Sequence, residues 1–108
     1  MITEIRTYKL KSDCSEIFLK IFTEQSLPML KRWNVNVVDF GFSIIANQSF
    51  YLIRNYENVE QRKQNQEEFY GSQEWINGPN EPLMNCIETY NTAVIENEKL
   101  LIRKITSS

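Results

Sequence analysis

The stretch Phe50-Tyr51-Leu52-Ile53-Arg54-Asn55-Tyr56 constrains this chain more than any other. Aromatic and aliphatic side chains occupy both of its faces, the pattern of a central strand covered on two sides. One of those faces also carries a charge, Arg54. An aromatic cluster follows in Phe69-Tyr70-Gly71-Ser72-Gln73-Glu74-Trp75. Together the two stretches predict a sheet with a pocket beside it.

What the sequence lacks narrows the chemistry. The chain has 108 residues, which is one domain, and a formal net charge of −2. With no basic run longer than a pair, nothing in it suits a polyanionic partner, and we expect no nucleic acid. The apolar runs fall well short of the roughly 20 residues of a spanning helix. The N-terminus has neither a secretory nor a transit pattern, so the expectation is a cytoplasmic protein with no membrane role. There is no histidine. That excludes Ser-His and Cys-His nucleophiles and removes His-ligated haem or zinc. Cys14 and Cys86 lack metal-ligand spacing and read as reduced packing residues, with a disulfide or redox pair as the alternative. No glycine-rich phosphate loop or paired-carboxylate motif is present, so we expect neither a metal nor a cofactor.

Ile2 to Leu10 alternates with period two and predicts the first strand. Asp13 with Glu16 resembles a capping box, Ser12 being the alternative cap. The helix that follows carries Cys14, Ile17, Phe18, Ile21 and Phe22 as an apolar stripe. Pro28 deletes an amide and crowds the carbonyl of Glu24, so a kink or break is expected there, with the helix ending near Arg32. The basic pair Lys31-Arg32 suits that end. Val35 to Ala46 reads as a second strand, with Val38, Phe40 and Phe42 on one face and Val37, Asp39 and Gly41 on the other. Gly41 hints at a bulge or a close backbone approach. The turn Asn47-Gln48 would join it to Phe50–Tyr56 as a hairpin. Asn58 with Gln61 gives a second cap signal, before a very polar helix with one thinly apolar face. Gly71 stops it, Ser72 can cap a short turn that buries Trp75 and Ile76, and Asn80 to Asn85 suits another turn. Ile87 to Glu96 alternates as the fourth strand.

The order strand, helix, strand, strand, helix, strand is the split βαβ pattern of an α+β, ferredoxin-like βαββαβ antiparallel sheet with helices on one face. The first and third strands would be central. The domain spans residues 1–96. The extension 97–108 contains Leu100-Leu101-Ile102 and Ile105, too apolar for a free tail, and should pack on the domain or its partner. The strands offer more apolar surface than two helices can cover, which predicts a homodimer.

Met1-Ile2-Thr3-Glu4-Ile5-Arg6-Thr7-Tyr8, Leu27-Pro28-Met29-Leu30 and Phe69-Tyr70-Gly71-Ser72-Gln73-Glu74-Trp75 resemble the NIPSNAP family of dimeric α+β barrels. The resemblance covers residues 1–96. It implies two ferredoxin-like subunits whose sheets meet in a barrel with the helices outside. It implies little chemistry, since related barrels include cofactor-free monooxygenases, isomerases and haem-handling proteins.

The candidate ligand-binding residues are Arg6, Tyr8, Arg54 and Tyr56, with Tyr70 and Trp75 nearby. Arg6 and Tyr8 share a strand face, as do Arg54 and Tyr56. A buried guanidinium among aromatics could grip a carboxylate or enolate, and a tyrosine could donate to it. The plainer reading pairs the arginines with Glu4 or Glu88 across the sheet, or stacks them on aromatics. Trp75 reads more readily as core or interface than as a ligand contact. Asp39 is a weaker candidate base. Two functions follow: a homodimeric barrel binding a small apolar or aromatic acid, with cofactor-free oxygenase or isomerase-like chemistry as its boldest form, or a non-catalytic dimeric interaction module.

Overall fold

The computed structural model describes residues 1–97. Its elements are β1 (Ile2–Leu10), α1 (Ser15–Ile21), a π-helical segment (Phe22–Ser26), α2 (Leu27–Arg32), β2 (Asn36–Phe42), β3 (Ser49–Tyr56), α3 (Val59–Tyr70), α4 (Gln73–Asn77), α5 (Asn80–Cys86) and β4 (Ile87–Glu96). The strands form one antiparallel sheet in the order β2-β3-β1-β4. This is the expected ferredoxin-like arrangement, with β1 and β3 central. The expected burial of Leu100, Leu101, Ile102 and Ile105 concerns residues outside the described ones.

Register decides what the sheet presents. Glu4 lies opposite Arg54, Arg6 opposite Leu52 and Tyr8 opposite Phe50. On the other edge of β1, Arg6 faces Thr92 and Tyr8 faces Tyr90. Every second residue of β3 (Phe50, Leu52, Arg54 and Tyr56) is therefore buried beneath the helices. The intervening Tyr51, Ile53 and Asn55 are only half-buried, so within one chain the central strand is fully covered on a single face. The core forms where Phe50 meets the rings of Phe18, Phe22 and Phe42, at 5.0, 5.3 and 5.2 Å between centroids. Such tilted and edge-on contacts add to the area they bury.

Several local expectations are corrected. The Asp13–Glu16 box does not form: Cys14 is the N-cap of α1 without a side-chain bond, and Asp13 sits at φ 64°. A short acidic side chain tolerates that left-handed turn, which takes Asp13 out of capping position. Ile17 is 49 % exposed rather than part of the buried stripe. Of the kink or break expected at Pro28, the break does not occur, and the helical run ends at Arg32 as expected. Pro28 stands in the first turn of α2, where a missing amide is harmless, and the turn before it loosens into the π segment. β2 ends at Phe42 rather than Ala46, and Ile44 and Ile45 are exposed in the loop beyond it. A register shift between Val37 and Asp39 puts Val37 opposite Arg54 and Phe40 opposite Leu52, so these two share a face. The bulge thus falls at Val38, not at Gly41. Gly41 instead admits the Tyr51 hydroxyl to 3.4 Å of where a Cβ would stand. Ile76 is exposed beside the buried Trp75.

The remaining cap and helix-end expectations hold. Asn58 accepts from the Gln61 amide at 2.8 Å, and Ser72 from the Trp75 amide at 3.2 Å. Lys31 and Arg32 lie in the last turn of α2. Cys14 and Cys86 are free thiols, and burial, with Cys14 beside it, pushes Cys86 up to about 11. No helix among the described residues is long and apolar enough to cross a membrane.

Candidate functional site

The site grows from one carboxylate. Glu4, in the middle of β1, is 0 % exposed and faces the helices. A buried carboxylate persists only if its oxygens are paired. Glu4 Oε1 accepts from Arg54 Nε at 3.0 Å and also from Arg54 Nη2. Glu4 Oε2 accepts from Arg62 Nε and from Gln66 Nε2, both at 2.6 Å. Arg6 Nη2 stands 3.6 Å from the same oxygen. Burial alone would raise the Glu4 carboxyl. The charges of Arg54 and Arg6, with hydrogen bonds from Arg54 and Gln66, more than offset it and hold the group down to about 2.

Helix α3 explains itself here. Its outer face is solvated, and its inner face carries Arg62, Gln66 and Tyr70 at successive four-residue steps, one above the other. The first two reach Glu4. The third, Tyr70, places its hydroxyl between the two sheet arginines, accepting from Arg54 Nη1 at 2.9 Å and from Arg6 Nη1 at 3.4 Å. A phenol oxygen has two lone pairs and one proton. With both acceptor positions facing guanidiniums, the proton of Tyr70 is left to be donated elsewhere.

The two arginines are held differently. Arg54 is 1 % exposed and grips Glu4 with two nitrogens and Tyr70 with the third. Arg6 donates to Thr92 Oγ1 at 3.1 Å and makes only long contacts to Tyr70 and to Gln66 Oε1, at 3.4 and 3.5 Å. It lies 5.4 Å from the Tyr90 ring centroid. Arg6 is the guanidinium free to re-aim its fork.

Beside this network lies a cavity of about 340 Å³ between the sheet and helices α1 to α5. Arg6, Tyr8, Gln66 and Tyr70 form one polar stretch of its wall, Ser26 and Asn80 add polar groups elsewhere, and its apolar walls include Phe18, Phe22, Leu30 and Leu52. Of the six candidate residues, Arg6, Tyr8, Tyr70 and Trp75 line this space. Arg54 and Tyr56 stand behind the wall, Tyr56 accepting from Gln66 Nε2 at 3.2 Å. Trp75 packs on Phe69 and Tyr70 and donates through its indole nitrogen to Asn80 at 3.2 Å. Burial pushes Tyr8 up to about 12, keeping it a neutral phenol at ordinary pH. Asp39 is exposed at the β2 bulge, where it accepts from the Phe40 amide and the Tyr51 hydroxyl. Glu88, the other suggested arginine partner, pairs with Lys9 at 3.8 Å.

Sequence reading missed Arg62 and Gln66 and gave Glu4 only as a possible partner. The signal was present: polar residues at 62, 66 and 70 repeat at helical spacing, opposite strands that carry Glu4 and Arg54. Among the described residues, no group of three or more Cys, Asp or Glu is placed to hold a metal.

No family model and no curated protein matches the sequence. Solved structures do match in shape. A NIPSNAP domain protein from Burkholderia xenovorans superposes with a TM-score of 0.80 at 17 % identity, over 89 % of this chain and 93 % of that one. A NIPSNAP family protein of unknown function from Agrobacterium tumefaciens gives 0.81 at 21 %, over 88 % and 86 %. An antibiotic biosynthesis monooxygenase gives 0.68 at 9 %, over 89 % and 97 %. At these identities likeness speaks for shape alone: the chain has the ferredoxin-like α+β fold of the NIPSNAP domain proteins.

Proposed function

We propose that this protein is a homodimeric small-molecule-binding barrel whose cavity holds an apolar or aromatic acid. The observation that carries this reading is the cationic pole of the cavity. Three guanidiniums (Arg6, Arg54 and Arg62) converge on one carboxylate, Glu4. The excess positive charge faces the cavity through Arg6, beside a Tyr70 hydroxyl with its proton to give. A carboxylate, phenolate or enolate oxygen placed there meets a charge-assisted fork and a phenol donor, next to apolar walls that suit the remainder of the molecule.

The same geometry shapes any chemistry. An enolate forming at this pole is stabilised by fixed charge, as cofactor-free oxygenase or isomerase-like reactions require. Glu4 is no general base, because a carboxylate held near 2 and fully hydrogen-bonded has little affinity for a proton at neutral pH. The substrate would have to be acidic itself. The competing reading, a non-catalytic interaction module, draws on the completeness of the Glu4–Arg54 pair without any ligand.

Native mass spectrometry of protein purified from its own host at low salt tests the proposal. The expected result is a dimer carrying a discrete small-molecule increment, lost in Arg6→Gln while the fold is kept. A bare protein that also binds no aryl acid at millimolar concentration would sink the binding reading and favour the interaction module.

A further inference from the structure

The cavity also carries a polar atom outside the Glu4, Arg6 and Tyr70 network. Ser26 lines the cavity and is 2 % exposed, and its Oγ has no hydrogen-bond partner. The other such buried atom among the described residues, Asn65 Oδ1, belongs to a residue that does not line the cavity. A serine inside a helix ordinarily donates its hydroxyl to a carbonyl one turn back. Thr23 does so, to Leu19 O at 2.8 Å. Ser26 makes no such bond. It closes the π segment, and the carbonyl four residues before it, on Phe22, accepts the Leu27 amide. Single-turn π segments gather at functional sites, where the wider turn re-aims a side chain. Its companions on the wall (Phe22, Leu30 and Phe18) offer no polar atom for a buried hydroxyl to meet.

We propose that Ser26 Oγ is a second anchor for the bound molecule, so that the cavity selects a two-headed ligand: an acidic oxygen at Arg6 and Tyr70, a rigid apolar or aromatic body, and a hydroxyl or carbonyl that meets Ser26. This rests on the reading of the cavity as an acid site and specifies its substrate class. A hydroxyl both donates and accepts, so Ser26 serves a carbonyl and a phenol equally. The cavity lies near the small end of the ~300–1,000 Å³ range of ligand pockets, which suits a body of one or two rings.

The test uses the full-length chain and a probe set of 2-naphthoate and its ring-hydroxylated isomers, with binding read calorimetrically and from Trp75, which lines the cavity. At least one hydroxylated isomer is expected to bind wild type tighter than the parent. Ser26→Ala should weaken that isomer about fivefold to tenfold and leave the parent unchanged. Thermal unfolding of Ser26→Ala should match or exceed wild type, since an unpartnered buried hydroxyl contributes nothing to the fold. If every isomer and the parent bind alike, or Ser26→Ala weakens all equally, the second anchor is overturned while the acid site stands. If no naphthoate binds and Arg6→Gln changes nothing, the acid site itself falls and takes this inference with it.

Discussion

Glu4 shows how one side chain ties stability to the site. Its folded-state value of about 2 lies below the ordinary 4.5. The stability it contributes is therefore complete above pH 4.5 and is lost as pH falls through about 2. A depression of that size corresponds to on the order of 3 kcal/mol. Glu4→Gln should cost about 3–5 kcal/mol at neutral pH, because it leaves buried guanidiniums without their counter-charge. Acid titration of the unfolding free energy checks both: wild type should lose stability between pH 4.5 and 2, and a folded Glu4→Gln should be flat there by comparison. Arg6→Gln should cost less than Glu4→Gln at neutral pH, since Arg6 makes mostly long contacts, and should lessen the acid loss because its charge helps hold Glu4 down. It should also weaken an aryl acid by tenfold or more in calorimetric titration, the worth of a charge-assisted bond. The sequence displayed both arginines and both strand faces. It left open whether Arg54 meets a ligand or Glu4, because alternation fixes which face a residue occupies and register fixes its neighbour.

At the scale of elements, similar signatures gave different outcomes. Asp13 with Glu16 and Asn58 with Gln61 both spell a capping box, yet only Asn58 caps. The difference is the chain path into the helix: Asn58 is extended at φ −160°, with its oxygen over the first turn, whereas Asp13 has turned left-handed. Asn58→Ala should cost about 1 kcal/mol by denaturant unfolding. Asp13→Gly should leave stability unchanged or raise it, since glycine accepts positive φ freely. A loss on Asp13→Gly equal to that of Asn58→Ala would show that Asp13 caps after all. Pro28 teaches a similar lesson. Its effect was legible, but its form was not, because a missing amide can be absorbed by widening the turn before it as well as by a kink. That choice belongs to packing, where Phe22 and Ser26 are both held inward. The bulge at Val38 was equally hidden: composition marks a strand, while an extra residue in it is visible only against the partner's register.

For the whole molecule, the element order sufficed to fix the topology, since a split βαβ pattern leaves few sheets to consider. What it leaves unsatisfied is the sheet face away from the helices. Ile5 lies opposite Ile53 on one side and Ala93 on the other, Ile53 is half-buried, and Ala93 is exposed. Around them stand Thr7, Asn91 and Thr89, neutral and exposed, with Lys9 at the margin, while Asp39 on β2, exposed opposite Ile53, carries a charge that accepts from the Tyr51 hydroxyl. A face with an aliphatic centre, a mostly neutral polar surround and its one nearby carboxylate already hydrogen-bonded suits a second copy of itself, and a two-fold pairing of such faces is the common way to close it. We propose that this face is the homodimer interface. Light scattering should then give a mass near twice 12.8 kDa. Ile5→Lys, flanked by Ile53 and Ala93 rather than by the carboxylate of Asp39, puts a charge at the centre of the face, and with its symmetry mate two like charges together. It should yield a monomer at micromolar concentration with an unchanged far-ultraviolet spectrum, because the side chain faces away from the core. A dimer that survives Ile5→Lys would place the interface elsewhere. A monomeric wild type would remove the barrel assembly but not the cavity, whose lining residues all come from one chain.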